Sequence, residues 1–495
     1  MDSDSPFAPL LVVLDEGTTS TRALAFDLGG NIVAAAARPL TQYFPQPGWV
    51  EHDAAEIWTL SQACLEEVAK TVGVDKIAAI GITNQRETIV FWDRTTGDPL
   101  VRAIVWQDRR TADQCASLRE QGHEALVQAT TGLVLDPYFS GTKIAWALAH
   151  WPVVKAAAAN GRLAVGTVDA WLLYKLTGGR RHSTDATNAS RTLLYDLVGG
   201  HWSAAMLNLL DVPAAALPTI SDCAGALGLT MLLGREIPIT ASIGDQHAAA
   251  IGHACLASGM VKATFGTGTF VLAHSGAAPS RSTHRLLSTL AWRLDGQSAY
   301  ALEGSIFTAG AAVQWLRDGV GLIDSAAASE QLAQSVPDSD GVVVVPAFVG
   351  MGAPHWRPDV RGLITGITAA TTRAHIVRAT LEAMSHQTAD LLEALAADGM
   401  VPTVLRVDGG MVANDWFCQN LADVIGLPVE RPRIIETTAL GCAMLTALGA
   451  GLFPTLAAAA AMARPDRRFE PAMASPDRAA RRTAWAHAIR QALTV

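Results

Sequence analysis

The sequence predicts an α/β protein built of two similar modules that face each other across a cleft. Three observations carry this. At 495 residues, half of them apolar, the chain exceeds what one hydrophobic core usually serves. Short apolar strand segments alternate with amphipathic helices along its length. A Gly-Thr turn directly after an apolar strand occurs twice, as Gly17-Thr18-Thr19 and Gly266-Thr267-Gly268, at comparable places in the two halves.

The opening segment reads as three strands: residues 10–14, residues 21–26, and a third after the turn Leu28-Gly29-Gly30-Asn31. Turns this close leave no room for a crossover helix, so the strands are antiparallel neighbours. Residues 54–72 form a helix with Ile57, Leu60, Cys64, Leu65 and Val68 on one stripe. Strands at 76–82 and 88–92, followed by several helices, complete the first half. A similar arrangement is expected to restart near residue 238. It has a strand at 238–243, a hairpin of 260–265 and 269–273, strands near 288–293 and 298–303, and a helix from Phe307. Late in the chain a strand at 404–407 ends in Asp408-Gly409-Gly410. It feeds a helix carrying Phe417, Leu421 and Ile425, flanked by helices at 374–397 and 438–448. The domain boundary is set at 247/248, giving units of residues 1–247 and 248–495.

Composition excludes several function classes. The net charge is −9, from 37 Lys and Arg against 46 Asp and Glu, and no basic cluster of the kind that grips nucleic acid occurs. Six cysteines (64, 115, 223, 255, 418 and 442) form no C-x-x-C pair and read as buried thiols in a reducing compartment. The acidic N-terminus lacks the basic start of a signal peptide, and apolar runs such as 452–462 fall short of a membrane span. A soluble, cytoplasmic protein is expected. No P-loop, H-E-x-x-H or G-x-S-x-G pattern is present.

Three polar constellations remain, each directly after an apolar strand, where α/β folds bind ligands. In Asp15-Glu16-Gly17-Thr18-Thr19-Ser20, glycine lets the backbone approach a ligand, successive N–H groups make an anion-binding concavity, and Asp15 is placed to meet magnesium. Alone this is equally an ordinary hairpin turn, but two such turns facing one cleft suit a nucleoside triphosphate. The clusters Asn84-Gln85-Arg86-Glu87 and Trp106-Gln107-Asp108-Arg109-Arg110 suit a small polyol, with charges reading hydroxyls and indole covering the carbons. The bland alternative is a surface salt bridge beside a core Trp. Asp245, in Ile243-Gly244-Asp245-Gln246-His247, is either a catalytic carboxylate or a helix cap. His247 reads as a structural histidine.

Taken together, LDEGTTSTRA, IGITNQRET, AIVWQDRRTA, TGLVLDPYFSGTK, GDQHAA, FGTGTF, YALEGSIFTAGAAVQWLRD, LRVDGGMVANDWFCQNLADVIGLPVERP and ETTALGCA resemble the FGGY family of carbohydrate kinases, in its glycerol kinase branch. The matching segments span nearly the whole chain in family order. The resemblance implies two duplicated actin-like (ribonuclease H-like) ATPase domains with the catalytic cleft between them. It also implies ATP-dependent phosphorylation of glycerol to sn-glycerol 3-phosphate, with ATP and Mg2+ as cofactors and a homodimer or homotetramer as the assembly. Carried over by position, the glycerol pocket would comprise Arg86, Glu87, Tyr138, Asp245 and Gln246, walled by Trp106 and Phe270, with Asp245 as the base. Phosphates would meet Thr18, Thr19, Ser20, Arg22 and Thr267. The rest of the nucleotide would meet Gly310, Gln314, Gly410 and Asn414, and Asp15 would sit near the magnesium.

Three departures from the family pattern stand out. Glu16 replaces the usual Gln, and an added negative charge beside the phosphates should weaken ATP binding unless magnesium or Arg22 offsets it. His247 replaces a second Gln. The loop at 230–237 is short and lacks both the Gly-rich basic stretch that binds fructose bisphosphate and the phosphorylated His of some relatives, so neither control is expected.

Overall fold

The computed structural model describes residues 9–357 and 359–494; the acidic N-terminal residues 1–8 lie outside the described residues. Strands β1 (Leu10–Glu16) and β2 (Ser20–Phe26) form an antiparallel hairpin closed by a 3.0 Å bond from Gly17 N–H to the Ser20 carbonyl, and β3 (Ile32–Pro39) extends it. Helix α1 (Ala54–Val72) has the expected bounds. Asp53 caps it by accepting from the Ala55 and Glu56 amides, and Ile57, Cys64, Leu65 and Val68 are buried beneath it. Strand β4 (Ile77–Asn84) lies parallel to β1. The expected strand at 88–92 forms (Ile89–Asp93) but joins a separate four-stranded sheet with Glu51–His52, Ala103–Ile104 and Leu163–Thr167.

The chain returns with β5 (Ala224–Thr230) and β6 (Ile237–Gly244), and β6 pairs parallel with β4. The first sheet therefore runs β5-β6-β4-β1-β2-β3. This corrects the expectation that a second module restarts near residue 238, because β6 is an inner strand of the first. An apolar run carries no mark of its partner; long-range parallel pairing selects it. The expected boundary at 247/248 falls inside α2 (Asp245–Gly252).

The second sheet begins with the hairpin β7 (Val261–Phe265) and β8 (Thr269–Gly276) around Gly266-Thr267-Gly268. It adds β9 (Leu287–Leu294), β10 (Gln297–Ile306), β11 (Leu405–Asp408), β12 (Val429–Pro432) and β13 (Pro465–Phe469), in the order β9-β10-β8-β7-β11-β12-β13. The helix expected from Phe307 starts only at Gly310 and is short (Gly310–Gln314) before it widens into a π-helical turn. Helices α3 (Arg373–Ala397), α4 (Asp415–Ile425), α5 (Thr437–Gly449) and α6 (Ser475–Thr494) follow.

The duplication holds in the topology. Each sheet has three antiparallel strands (β3-β2-β1 or β10-β8-β7), then two parallel ones (β4-β6 or β11-β12), then an antiparallel edge (β5 or β13). This is the duplicated actin-like layout that the resemblance implied. Each sheet also has its own apolar core, around Val12, Ile57 and Trp171 in one and Val407, Leu391 and Phe417 in the other.

Two helices bind the modules together. α2 follows β6 yet packs on β7 and β8, whereas α5 follows β12 and packs on β1, β4 and β6. They cross backbone to backbone. A Cβ at Gly441 would lie 1.8 Å from the Ala248 carbonyl oxygen, and one at Gly252 would lie 2.0 Å from that of Thr437. Only glycine fits at this crossing, and the crossing brings the two Gly-Thr turns into one cleft. Among the described residues no helix is long and apolar enough to cross a membrane, and all six cysteines are free and buried.

Candidate active site

Two cavities meet at the cleft. The smaller, about 150 Å³, is lined by all seven residues expected around a polyol: Arg86, Glu87, Trp106, Tyr138, Asp245, Gln246 and Phe270. Thr18 from the first Gly-Thr turn, Thr264, and Gly266 to Gly268 from the second complete it. The larger, about 390 Å³, is lined by the expected Thr267, Gly310, Gln314, Gly410 and Asn414 together with Val313, Arg317, Glu330, Leu381 and Met411. Gly266 and Thr267 line both, so the second turn is the wall between them.

Strand ends place the polar groups of the small cavity. Arg86 and Glu87 lie in the turn after β4. Glu87 takes φ +63°, a left-handed conformation that non-glycine residues rarely adopt, and Ser140 Oγ holds it by donating to its carbonyl at 2.9 Å. Asp245 and Gln246 open α2 directly after β6. The Gln246 amide donates to Asp245 Oδ1 at 2.6 Å and Arg86 Nε lies 3.2 Å from the same oxygen. The apolar wall is aromatic: the Trp106 ring stands edge-on to Tyr138 at 5.7 Å and to Phe270 at 6.1 Å. Trp106 Nε1 donates to Thr18 Oγ1 at 2.9 Å, tying the indole to the first turn. Lys143, fully buried, donates to the Tyr138 carbonyl at 2.8 Å and fixes that loop.

The electrostatics follow from burial. Desolvation raises the Asp245 pKa above the usual carboxylate value, while Arg86 and the Gln246 amide oppose the rise. Lys262, on β7, is buried behind Gln246 and donates to its side-chain oxygen and, at 2.9 Å, to Thr264 Oγ1; burial lowers its pKa to about 8. His247 is buried outside the cavity, and desolvation holds its pKa well below 6.5, so it is a neutral, structural imidazole.

Other residues of the polar clusters turn away from the cavity. Asn84 pairs with Asn188 at 3.0 Å, and Gln85 donates to the Gly17 carbonyl at 2.9 Å, bracing the first turn from behind. Arg110 is buried against Asp108 (2.8 Å) and Glu51 (2.9 Å) beneath Trp49, and Arg109 binds Asp136 at 2.9 Å. Of the 106–110 cluster only Trp106 lines the cavity, as the apolar cover expected of it; Asp108, Arg109 and Arg110, expected to read hydroxyls, are held in ion pairs instead. Glu303, Arg191 and Lys262 escaped the sequence reading, although each is a lone charge in an apolar or small-residue segment, where a buried partner is required.

Asp15, Thr19, Ser20 and Arg22 line neither cavity. Asp15 is buried at the end of β1 and ion-paired with Arg22, whose Nη1 also lies 2.6 Å from Glu436 Oε2. Glu16 corrects the charge expected beside the phosphates. Alternation along β1 sends its side chain to the opposite face, where it accepts from the hydroxyls of Thr21 and Ser61 and is fully buried. Burial pushes its pKa well above the ordinary carboxylate value, and its side chain lines neither cavity. Glu16→Gln is therefore expected to leave the ATP KM unchanged. Because the raised carboxyl pKa means stability lost as pH rises, the variant should also melt higher than wild type, with the gain growing toward alkaline pH in a thermal-melt series.

The comparisons agree with this geometry. The N-terminal domain of the FGGY family of carbohydrate kinases matches residues 10–252, and its C-terminal domain matches residues 261–450. The chain is 54% identical over 488 residues to a glycerol kinase of Rhodospirillum rubrum, covering 98% of this chain and 99% of the relative. It is 52% identical over 486 residues to one of Alcanivorax borkumensis, covering 97% and 98%. A crystal structure of Plasmodium falciparum glycerol kinase with ADP superposes with a TM-score of 0.91 at 36% identity, covering 99% of each chain. With both domain matches in order on a duplicated fold whose cleft holds two adjoining cavities, the chain belongs to the FGGY family of carbohydrate kinases.

Proposed function

We propose that this protein transfers the γ-phosphoryl group of ATP to a terminal hydroxyl of glycerol, giving sn-glycerol 3-phosphate and ADP. One observation carries the reading: the small, aromatic-walled cavity with its carboxylates adjoins the larger cavity through the shared turn Gly266-Thr267. The glycerol kinase relatives support the substrate. A three-carbon polyol lies against the wall that Trp106 and Phe270 form together, with its hydroxyls toward Arg86, Glu87, Asp245 and Gln246. The nucleotide takes the larger cavity, against Gly310, Gln314, Gly410 and Asn414.

In the reaction the substrate hydroxyl oxygen bonds to the γ-phosphorus, the bond to the β–γ bridging oxygen breaks toward ADP, and the hydroxyl proton passes to Asp245. Phosphoryl transfer has a loose transition state, so positioning and charge neutralisation dominate, and Asp245 orients the hydroxyl before it accepts the proton. The hydroxyls of Thr18 and Thr267, which face the small cavity from the two turns, serve the phosphates, with Thr19, Ser20 and Arg22 following Thr18 in the first turn and β2. The first module supplies Arg86, Glu87, Trp106 and Tyr138 to the polyol cavity, and the second supplies Phe270 to its wall and the lining of the nucleotide cavity.

Magnesium belongs to this proposal. Among the described residues no group of three or more His, Cys, Asp or Glu side chains is placed to hold a metal by itself. Asp15, which stands near the end of β1 beside the first Gly-Thr turn and is ion-paired with Arg22, would be the carboxylate that meets the ion. When bound, the ion neutralises developing phosphate charge.

A coupled ADP-release assay over glycerol, erythritol, xylulose and gluconate tests the reading. Glycerol is expected to exceed each of the others in kcat/KM by at least about tenfold, since longer chains collide with the aromatic wall. A preference for any other substrate overturns it. Fructose bisphosphate at physiological concentration is expected to leave the glycerol rate unchanged.

A further inference from the structure

Behind the cavity runs a chain of five alternating charges: Asp245, Arg86, Glu303, Arg191 and Glu87. Arg86 Nε lies 3.2 Å from Asp245 Oδ1, while its two terminal nitrogens reach Glu303 at 2.5 Å and 3.1 Å. Arg191 Nη2 reaches the same carboxylate at 2.8 Å, and its Nε reaches Glu87 Oε1 at 2.6 Å. The two ends of the chain, Asp245 and Glu87, open into the cavity; Glu303 and Arg191 do not line it, and their side chains are fully buried. Glu303 stands on β10 of the second sheet, between Leu272 of β8 and Leu287 of β9, whereas the other four residues belong to the first module or to α2. Its carboxylate thus crosses the cleft and is shared by both guanidinium groups.

We infer that Glu303, with Arg191, is a positioning residue for the proposed reaction: it fixes Arg86 and Arg191, and through them the two carboxylates that read the polyol. The inference rests on the polyol reading above. The physical case is one of competition. A guanidinium has five N–H donors in a rigid fork and prefers a bidentate carboxylate. Glu303 takes that fork on Arg86 and leaves Asp245 a single contact at Nε. Released from Glu303, Arg86 is free to turn its fork onto Asp245, which would occupy both oxygens of the base and the space of the substrate hydroxyl. The charge on Glu303 is secure: burial pushes its pKa up, but Arg191 and then Arg86 outweigh this and hold it at about 2. Lys262 on β7, Gln246 and His247 on α2, the Tyr138 hydroxyl and the buried Lys143 beside Glu87 also face the chain.

The test compares full-length wild type, Glu303→Gln, Glu303→Asp, and Glu303→Gln/Arg191→Met, which removes one charge of each sign and so keeps the buried balance. Misplacement of the reacting groups by about 1 Å is expected to lower kcat/KM for glycerol about a hundredfold in Glu303→Gln, with the ATP KM within twofold of wild type. The charge-balanced double variant is expected to bind ADP normally yet stay as slow. Glu303→Asp keeps the charge but is one methylene short of spanning both arginines, and at least about a tenfold loss is expected from it. Recovery of the double variant to within threefold of wild type, or a near-wild-type rate in Glu303→Asp, overturns the assignment and leaves Glu303 as charge balance only. The series is run with whichever polyol the wild type phosphorylates. Failure of the wild type on glycerol alone strikes the proposed function and still leaves the positioning role decided on the other substrate.

Discussion

Asp245→Asn is expected to lower kcat for glycerol phosphorylation by at least about two orders of magnitude, in line with removal of a general base, while leaving ADP binding and the melting temperature near wild type. The fold has little stake in this carboxylate. α2 begins with Asp245 itself, and Gly244, not Asp245, is its capping residue, with no side-chain cap bond. An amide retains the size and can still accept from the Gln246 amide, so the helix start persists. What it loses is the capacity to take the hydroxyl proton. The pH profile makes the role specific. Burial raises the Asp245 pKa, so the active carboxylate form is lost as pH falls through a value above that of an ordinary aspartate. The kcat/KM profile of wild type should show that acid limb, and the residual activity of Asp245→Asn should lack it. Near-normal turnover in the variant would reduce Asp245 to a bystander.

Arg86→Ala is expected to be more damaging, because it removes both a ligand contact and the cation between Asp245 and Glu303. Breaking a buried ion pair by removing one partner costs about 3–5 kcal/mol, and the Arg86 side chain is 2% exposed with Glu303 at 0%. Glycerol kcat/KM should fall at least about a hundredfold, and chemical denaturation should show the stability loss. The acid limb of any residual activity should move to higher pH, since Arg86 is the chief group opposing the effect of burial on Asp245. Arg86→Lys should recover little, because an ammonium cannot pair bidentately with Glu303 while reaching Asp245. Full activity in Arg86→Lys would show that charge alone, not the fork, is what the site needs.

Much of this site was legible before any coordinates. The β1–β2 hairpin, the bounds of α1, the hairpin around Gly266-Thr267-Gly268 and the strand ending in Asp408 are all set by local signals: apolar runs, a capping Asp53, and glycine turns. The seven residues around the small cavity came from position after strand ends and from motif resemblance, and all seven line one cavity. Glu16 was within reach of the same reading. Two-residue alternation along β1 already puts it on the face opposite Asp15, which makes a charge beside the phosphates the less natural expectation.

The sequence by itself determined the local elements, the duplication of the Gly-Thr turn and the chemical identity of the groups at the strand ends, because those depend on neighbours within a few residues. Only the tertiary structure decided three things. It assigned β6 to the first sheet, through pairing with β4, so that Asp245 directly follows an inner strand of the same module as Arg86 rather than opening a second one. It left Asp108, Arg109 and Arg110 outside the cavity lining, Asp108 and Arg110 in a buried ion pair and Arg109 in a part-exposed one with Asp136. It also brought Glu303 across the cleft to two arginines from the other module. Buried ion pairs join residues as far apart in the chain as Arg86 and Glu303, 217 positions, and no local pattern encodes a contact whose energy exists only once both modules are folded and closed on each other.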